Sequence, residues 1–185
     1  MTVVMLSGSR PIQVLPPAVA AHVTELINQR SSFIVGDAQG ADYAFQKMLA
    51  GARYPLVEVY TSLSAPRSNL GGWRVHLVES GLKSRGAALH TAKDRHMVVR
   101  ANAGVVIWDC QSVGSLANVI DFVEAEKPCW IWTPQEEFLF CVDSQSHLET
   151  LLLTYPNPAT EARKRLTTFH NRERRRHELA QGGLF

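Results

Sequence analysis

The chain lacks the cysteine arrangement of a disulfide-stapled or zinc-binding protein. Its three cysteines, Cys110, Cys129 and Cys141, are odd in number and widely spaced, and no two of them form a Cys-x-x-Cys pair. This pattern does not indicate a disulfide framework or a metal-binding pair. Because Cys129 and Cys141 lie within apolar runs, we interpret them as small buried hydrophobic residues.

Long apolar runs are missing as well. No stretch approaches the roughly 20 apolar residues of a membrane-spanning helix, and the N-terminal segment has neither a basic start nor a cleavage signal. The sequence therefore predicts a cytoplasmic protein that does not contact membranes. Charged residues are scarce, at 19%, whereas apolar residues reach 45%, so the 185-residue chain has the composition of a folded domain.

Basic residues are concentrated at the C-terminal end. Residues 159–185 carry seven basic and three acidic side chains, a net charge of +4, whereas residues 1–158 have a net charge of −2. Pro156 and Pro158 mark a boundary. We therefore divide the chain into a main domain at 1–158 and a basic helix with a flexible tail at 159–185. The helix is expected to begin near Thr160 and to pack through Ala162, Leu166 and Phe169.

Short apolar runs alternate with segments of helically spaced apolar residues. Strands are predicted at 3–6, 32–35, 56–60, 105–108 and 129–132. Strands that are apolar throughout and separated by helices are typical of a parallel sheet covered on both faces. We therefore predict an α/β fold, a Rossmann-like three-layer α/β/α sandwich with a mainly parallel sheet of about five strands and a C-terminal helical extension. Residues 138–142 can add an edge strand, 147–154 a short helix, and 61–90 is expected to be irregular.

Three of the predicted strands are followed by loops rich in glycine, serine and aspartate. Ligands of open parallel sheets bind beyond the carboxyl ends of the strands, where the first N–H groups of the following helices favour anions. Glycine and serine also make ordinary turns and helix caps, but three such loops on one side of a sheet favour a binding site. The loop residues that we expect in this site are Gly8, Ser9, Arg10, Gly36, Asp37, Ala38, Gly40, Asp42, Asp109, Ser112, Gly114 and Ser115.

A charged cluster lies on the helix predicted at 91–102. Lys93 and Met97 are four residues apart and share one face of this helix, with Asp94 beside them. Such a cluster is compatible with a solvated helix face. Because the helix directly precedes the strand that carries the third loop, one end of the cluster can also reach the ligand site.

Taken in order, these motifs resemble those of the SLOG superfamily. The resemblance rests on four segments and covers roughly residues 3–134: Gly8-Ser9-Arg10, Gly36-Asp37-Ala38-Gln39-Gly40-Ala41-Asp42, Lys93-Asp94-x-x-Met97 and Gly114-Ser115-x-x-Asn118. The superfamily includes the lonely-guy phosphoribohydrolases, DNA-processing protein A and bacterial proteins of the YspA type. The resemblance implies a Rossmann-like fold with a pocket for a nucleotide or ribose phosphate, lined also by Lys93, Met97 and Asn118, and a homodimer of the kind common in the family.

Three positions depart from the phosphoribohydrolase branch, and one of them is Val113, which occupies a position of the double glycine before the turn. Lys93 stands where that branch has arginine, and Asn118 where it has the catalytic glutamate. Asparagine cannot act as a carboxylate acid or base, and lysine lacks the bidentate fork of arginine. The resemblance therefore implies binding or sensing of a nucleotide-derived ligand, of the ADP-ribose or nucleoside monophosphate class, rather than that branch's reaction. No obligatory cofactor or metal is expected.

Two alternatives remain open at this stage. The first is an enzyme that hydrolyses or transfers the glycosidic bond of a nucleotide with a different carboxylate, for which Asp37, Asp42 and Asp109 are candidates. The second is a DNA-associated accessory protein that uses the basic tail. The terminal segment 181–185 resembles the peptide that docks on bacterial sliding clamps, but the tail is equally compatible with a solvated helix held by intrahelical ion pairs.

Overall fold

A seven-stranded sheet forms the middle layer of the computed structural model, which describes residues 1–78 and 87–182. The strands are β1 (Val3–Gly8), β2 (Ser32–Gly36), β3 (Val57–Thr61), β4 (Arg74–Leu77), β5 (Ala103–Ile107), β6 (Cys129–Trp132) and β7 (Leu139–Val142). Their order across the sheet is β4-β3-β2-β1-β5-β6-β7. All neighbouring pairs are parallel except β6 and β7.

Helices cover both faces of the sheet. They are α1 (Pro17–Asn28), α2 (Ala41–Gly51), α3 (Ala87–Arg100), α4 (Val113–Glu124), α5 (Gln145–Thr154) and α6 (Pro156–Gly182). The core on one face combines α1 and α2 with side chains such as Val4 and Leu6 of β1, and the core on the other combines α3 to α6 with Met5. The predicted three-layer, Rossmann-like fold is confirmed.

The sheet is larger than the five strands predicted. The edge strand expected at 138–142 is present as β7, antiparallel to β6. By contrast, β4 lies in the segment that we expected to be irregular, and it pairs in parallel with β3. Three of its four residues are exposed, so it lacks the apolar run of a central strand, and backbone pairing with β3 defines it.

Two helices begin earlier than the sequence indicates. The helix expected from residue 91 begins at Ala87, and the C-terminal helix begins at Pro156 rather than near Thr160. Proline is well tolerated in a first helical turn, where its missing N–H has no partner to lose. The packing expected of α6 is confirmed, because Ala162, Leu166 and Phe169 are buried.

The C-terminal helix has a buried half and an exposed half. Ala159 and Leu166 belong to the core cluster shared with α4, whereas residues 171–175 are exposed. The division that we placed between residues 158 and 159 therefore falls inside α6. Within the described ranges, no helix combines the length and apolar character needed to cross a membrane.

Candidate functional site

A cavity of about 640 Å³ lies beyond the carboxyl ends of the central strands β1, β2 and β5. It brings together residues from all three loops and from the charged face of α3. The sequence-predicted residues that line it are Gly8, Arg10, Gly36, Ala38, Asp42, Lys93, Met97, Asp109, Ser112, Gly114, Ser115 and Asn118. Three other predicted residues, Ser9, Asp37 and Gly40, do not line it.

Ser9 is buried outside the cavity lining, and its side chain links the first loop to the third. Its Oγ donates to Asp109 Oδ1 at 2.9 Å and accepts from Asp109 N at 3.1 Å. The same Oγ lies 3.2 Å from Ser115 Oγ. Gly40 also has a structural role, because its φ of +88° suits glycine and a Cβ there would collide with the backbone of Arg10.

The third loop presents the N-terminus of α4 to the cavity. Asp109 Oδ1 accepts hydrogen bonds from Gln111 N at 3.1 Å and from Ser112 N at 2.7 Å. Ser112 is the N-cap, and its Oγ accepts from Ser115 N at 3.5 Å. In addition, Trp108 Nε1 donates to Ser112 O at 3.0 Å. These bonds hold the first turn of α4, whose helix dipole favours an anion.

An arginine of the C-terminal helix completes this side of the cavity. Arg165 lines the cavity, and its Nη1 lies 3.1 Å from the position that a Cβ on Gly114 would take. Its Nε donates to Thr91 Oγ1 at 2.7 Å. This arginine is not among the site residues expected from the sequence, which assigned it to the basic C-terminal helix. The available signal was helical spacing, because Arg165 follows Ala162 by three residues and precedes Phe169 by four, and both are buried.

A buried carboxyl, that of Asp42, and a buried ammonium, that of Lys93, both lie close to Gly36. A Cβ on Gly36 would collide with Asp42 Oδ2 and would lie 2.6 Å from Lys93 Nζ, so this position needs glycine. Asp42 Oδ2 accepts from Ala38 N at 3.2 Å, and Lys93 Nζ lies 3.3 Å from Asp94 Oδ1. Asp42 is only 8% exposed and Lys93 only 4%.

The two buried groups have opposite tendencies to ionise. Burial raises the pKa of Asp42 to about 6, although the nearby Lys93 opposes this change. Burial also disfavours the charge of Lys93, but the carboxylates of Asp94, Asp42 and Asp37 outweigh it and raise the lysine pKa above its ordinary value. Lys93 is therefore charged at neutral pH, while Asp42 changes its protonation in the range where enzymes use acids and bases.

Asp37 is fully occupied by structural contacts. Arg67 Nη2 donates to its Oδ1 at 2.8 Å, and its Oδ2 accepts from Arg67 Nε at 3.2 Å and from Thr61 Oγ1 at 2.9 Å. Burial would raise the pKa of Asp37, but the hydrogen bonds from Arg67 and Thr61 and the charge of Lys93 lower it to about 2. Arg67 itself lines the cavity, and no periodic pattern in 61–90 could have predicted this.

Two predicted polar residues lie at different depths in the cavity. Asn118 is buried, and its Nδ2 donates to Ser7 Oγ at 3.3 Å. Arg10 is exposed at the end of the first loop. Trp73 lies away from this cavity, and its Nε1 donates to Tyr54 O at 2.9 Å.

The cavity has no recognisable metal centre. In the described part of the chain, no group of three or more His, Cys, Asp or Glu side chains could hold a metal ion.

Comparison of the chain with protein-family models, with curated proteins and with solved structures gives no match in any of the three.

Proposed function

We propose that the cavity binds a nucleotide or a nucleotide-derived ligand of the ADP-ribose or nucleoside monophosphate class. One observation carries this proposal: a single cavity is lined both by groups suited to phosphate and by groups suited to hydroxyls. The likeness of the loop motifs to those of the SLOG superfamily supports the same class of ligand.

The phosphate end is formed where α4 meets α6. The first N–H groups of α4 have no partner within the helix, and Arg165 lies directly beside Gly114 in that first turn. Arg10 adds a second guanidinium at the cavity wall. Guanidinium groups form charge-assisted, often bidentate hydrogen bonds with phosphate, so this end favours a phosphoryl group over a neutral one.

The groups suited to hydroxyls are Asp42 and Asn118, which both line the cavity. The carboxyl of Asp42 can accept from a ribose hydroxyl, and the amide of Asn118 can both donate and accept. A volume of about 640 Å³ lies within the range of about 300–1,000 Å³ that is usual for small-molecule sites. The cavity therefore has room for a phosphate, a ribose and a base together.

A thermal-shift panel tests the proposal. The purified chain is heated with AMP, ADP, ATP, NAD, ADP-ribose, cyclic nucleotides and pyrimidine monophosphates. A ligand present at 100 times its dissociation constant adds about 2.7 kcal/mol to stability, which raises the Tm of a domain of this size by roughly 5–10 °C. A panel in which no compound raises the Tm would refute the proposed ligand class.

A pair of variants then locates the phosphate end. Arg165→Ala is expected to weaken binding of the best ligand of the panel at least tenfold, because a charge-assisted hydrogen bond contributes about 1.5–3 kcal/mol. Lys164→Ala is the matched control, since Lys164 is exposed and its Nζ pairs with Glu161 Oε1 at 2.8 Å. Equal affinities of the two variants in isothermal titration would show that Arg165 does not bind the ligand.

A further inference from the structure

A second cavity lies at the end of the sheet opposite to the first. Its volume is about 780 Å³, and its wall includes the residues that begin four neighbouring strands, Val3 of β1, Ser32 of β2, Val57 of β3 and Arg74 of β4. Because these strands are parallel, their first residues lie at one end of the sheet, and no described residue lines both cavities. The volume is usual for a small-molecule site, so this cavity is a separate candidate.

Two aromatic residues of this second cavity are held in place by hydrogen bonds. Trp73 Nε1 donates to Tyr54 O at 2.9 Å, and Tyr54 OH donates to Ser31 O at 2.6 Å. Trp73 and Tyr54 both line the cavity, and both are only half-buried. A fixed, partly exposed aromatic side chain offers a flat apolar surface on which another ring stacks at a low cost in conformational entropy.

The loop before β4 holds the backbone and the ring of Trp73. Asn69 Oδ1 accepts from Trp73 N at 2.9 Å, and Asn69 Nδ2 donates to Trp73 O at 2.8 Å. A Cβ on Gly71 would collide with the indole ring, and Gly72 has a φ of +63°. Both positions therefore favour glycine, and the loop keeps the indole in one place beside the cavity.

The charged residues that line the second cavity are mostly arginines. Arg53, Arg74 and Arg100 line it and are exposed, whereas Glu58 is the one acidic residue among its described lining residues. Glu58 Oε2 lies 3.1 Å from His76 Nε2. Within residues 1–78 and 87–182, the guanidinium groups of Arg53 and Arg74 have no carboxylate partner. They are therefore available for charge-assisted hydrogen bonds with an anion from solution.

We propose that the second cavity binds an aromatic anion, a small molecule in which a flat ring carries a carboxylate or a phosphate group. The ring stacks on Trp73 or Tyr54, and the acidic group pairs with Arg53 or Arg74. A neutral ring lacks the ion pairs and an inorganic anion lacks the stacking, so both bind more weakly than a molecule that has both features. The inference is independent of the ligand proposed for the first cavity.

Titrations followed by the NMR signals of the tryptophan indole N–H groups test the inference. The full chain is titrated with 1-naphthyl phosphate and with 1-naphthoate, and the signal of Trp73 is identified by its loss in Trp73→Phe. We expect the Trp73 signal to shift saturably with a dissociation constant below about 1 mM for at least one of these anions. The anion that binds more tightly shows whether the site prefers phosphate or carboxylate.

Matched probes and variants separate the contributions of ring and charge. We expect 1-naphthol and inorganic phosphate each to bind at least about fivefold more weakly than the preferred anion, because each lacks one of the two features. Arg74→Ala is expected to weaken binding of the preferred anion by about fivefold or more through loss of an ion pair. Arg172→Ala is the matched control and should bind as the wild type does, since Arg172 is exposed on α6 and lines neither cavity.

The outcomes distinguish the two cavities. Trp108 Nε1 donates to Ser112 O, and Ser112 lines the first cavity, so the indole signal of Trp108 reports binding there. A shift of the Trp108 signal alone would overturn the inference and leave the first site standing. The inference would also be overturned by a Trp73 signal that neither anion shifts, by 1-naphthol or inorganic phosphate binding as tightly as the anions, or by equal affinities of Arg74→Ala and Arg172→Ala.

Discussion

At the scale of single residues, neighbouring aspartates of one loop have opposite electrostatic properties. Asp37 gives up its proton easily because Arg67 and Thr61 donate to it, whereas Asp42 holds its proton because it is buried with few donors. The difference comes from the partners that the fold supplies, since both are aspartates within the same βα turn. Asp37 consequently contributes to stability, and Asp42 presents a carboxyl group with a raised pKa to the cavity.

Asp37→Asn is expected to lower the free energy of unfolding by about 2 kcal/mol at pH 7. The pKa of Asp37 is lowered from 3.8 to about 2 by folding, so its ionised form stabilises the protein above about pH 4. This stabilisation is lost as pH falls towards 2. Urea denaturation should therefore show a smaller difference between variant and wild type at pH 3 than at pH 7.

The control for this change is Asp143→Asn. Asp143 is exposed and pairs with His147 at 2.9 Å, so its replacement is expected to change stability by less than about 0.5 kcal/mol. If Asp37→Asn lost the same amount of stability at both pH values, the pairing with Arg67 would not be the cause.

Gly36→Ala tests the close approach of the Asp42 carboxyl and the Lys93 ammonium to Gly36. The added Cβ would collide with Asp42 and displace Lys93, so we expect a loss of about 1–3 kcal/mol and weaker ligand binding. Gly51→Ala is the matched control, because nothing lies within 4 Å of its added Cβ. Gly51→Ala is expected to leave the free energy of unfolding unchanged or to raise it by up to about 1 kcal/mol, measured by urea denaturation.

At the scale of elements, the cavity depends on how α4, α6 and α3 pack together. The cap of α4 is set by Ser112 in the third loop, and Arg165 of α6 bonds to Thr91 of α3 beside the first turn of α4. Each element alone carries an incomplete set of groups. The packing of α6 on α4 assembles the set, and the same contact buries Leu166 and Ala162.

Ser112→Ala is expected to lower stability by about 1 kcal/mol through loss of the N-cap. Ser144 is the N-cap of α5, its side chain accepts from His147 N at 3.3 Å, and it lies away from the cavity. Ser144→Ala should therefore lose a similar amount of stability without weakening ligand binding. Ser112→Ala should lose stability and also bind the ligand more weakly. The rise in Tm on adding ligand, measured by thermal shift, distinguishes the two variants. An equal rise in both would contradict a role of the α4 N-terminus in ligand binding.

At the scale of the whole molecule, the C-terminal helix belongs partly to the core and partly to the surface. A chain ended at residue 158 would lose the burial of Leu166 and Phe169, a contribution of about 3–6 kcal/mol. That is a large share of the total stability of an average domain. The same deletion would remove Arg165 from the cavity.

Two truncations are therefore expected to differ sharply. The chain ended at 158 should unfold at much lower urea concentration and bind no ligand, whereas the chain ended after Asn171 should keep both properties, because residues 171–175 are exposed. The longer truncated chain also tests the nucleic-acid hypothesis, since salt-sensitive DNA binding that survives in it would not come from Arg172, Arg174 or Arg175. The clamp-like peptide cannot be compared with the structure, because 183–185 lie outside the described residues.

The fold and much of the cavity lining could be predicted from local sequence patterns. Apolar runs mark the five central strands, and residues such as Gly36 and Gly114 mark the strand ends where a parallel sheet binds ligands. These features depend on neighbours a few positions away, so a linear pattern is enough to predict them. It also placed Lys93 and Met97 on the face of α3 that reaches the cavity.

Which polar groups come together depends on the packing of segments that are distant in the sequence. Strand β4 exists because its backbone pairs with β3, and Arg67 and Arg165 reach the cavity through contacts with distant parts of the chain. The same holds for Asp37, which is paired, and Asp42, which is buried with few donors. A pKa and a binding contact both depend on three-dimensional neighbours and on burial, and a linear pattern carries neither.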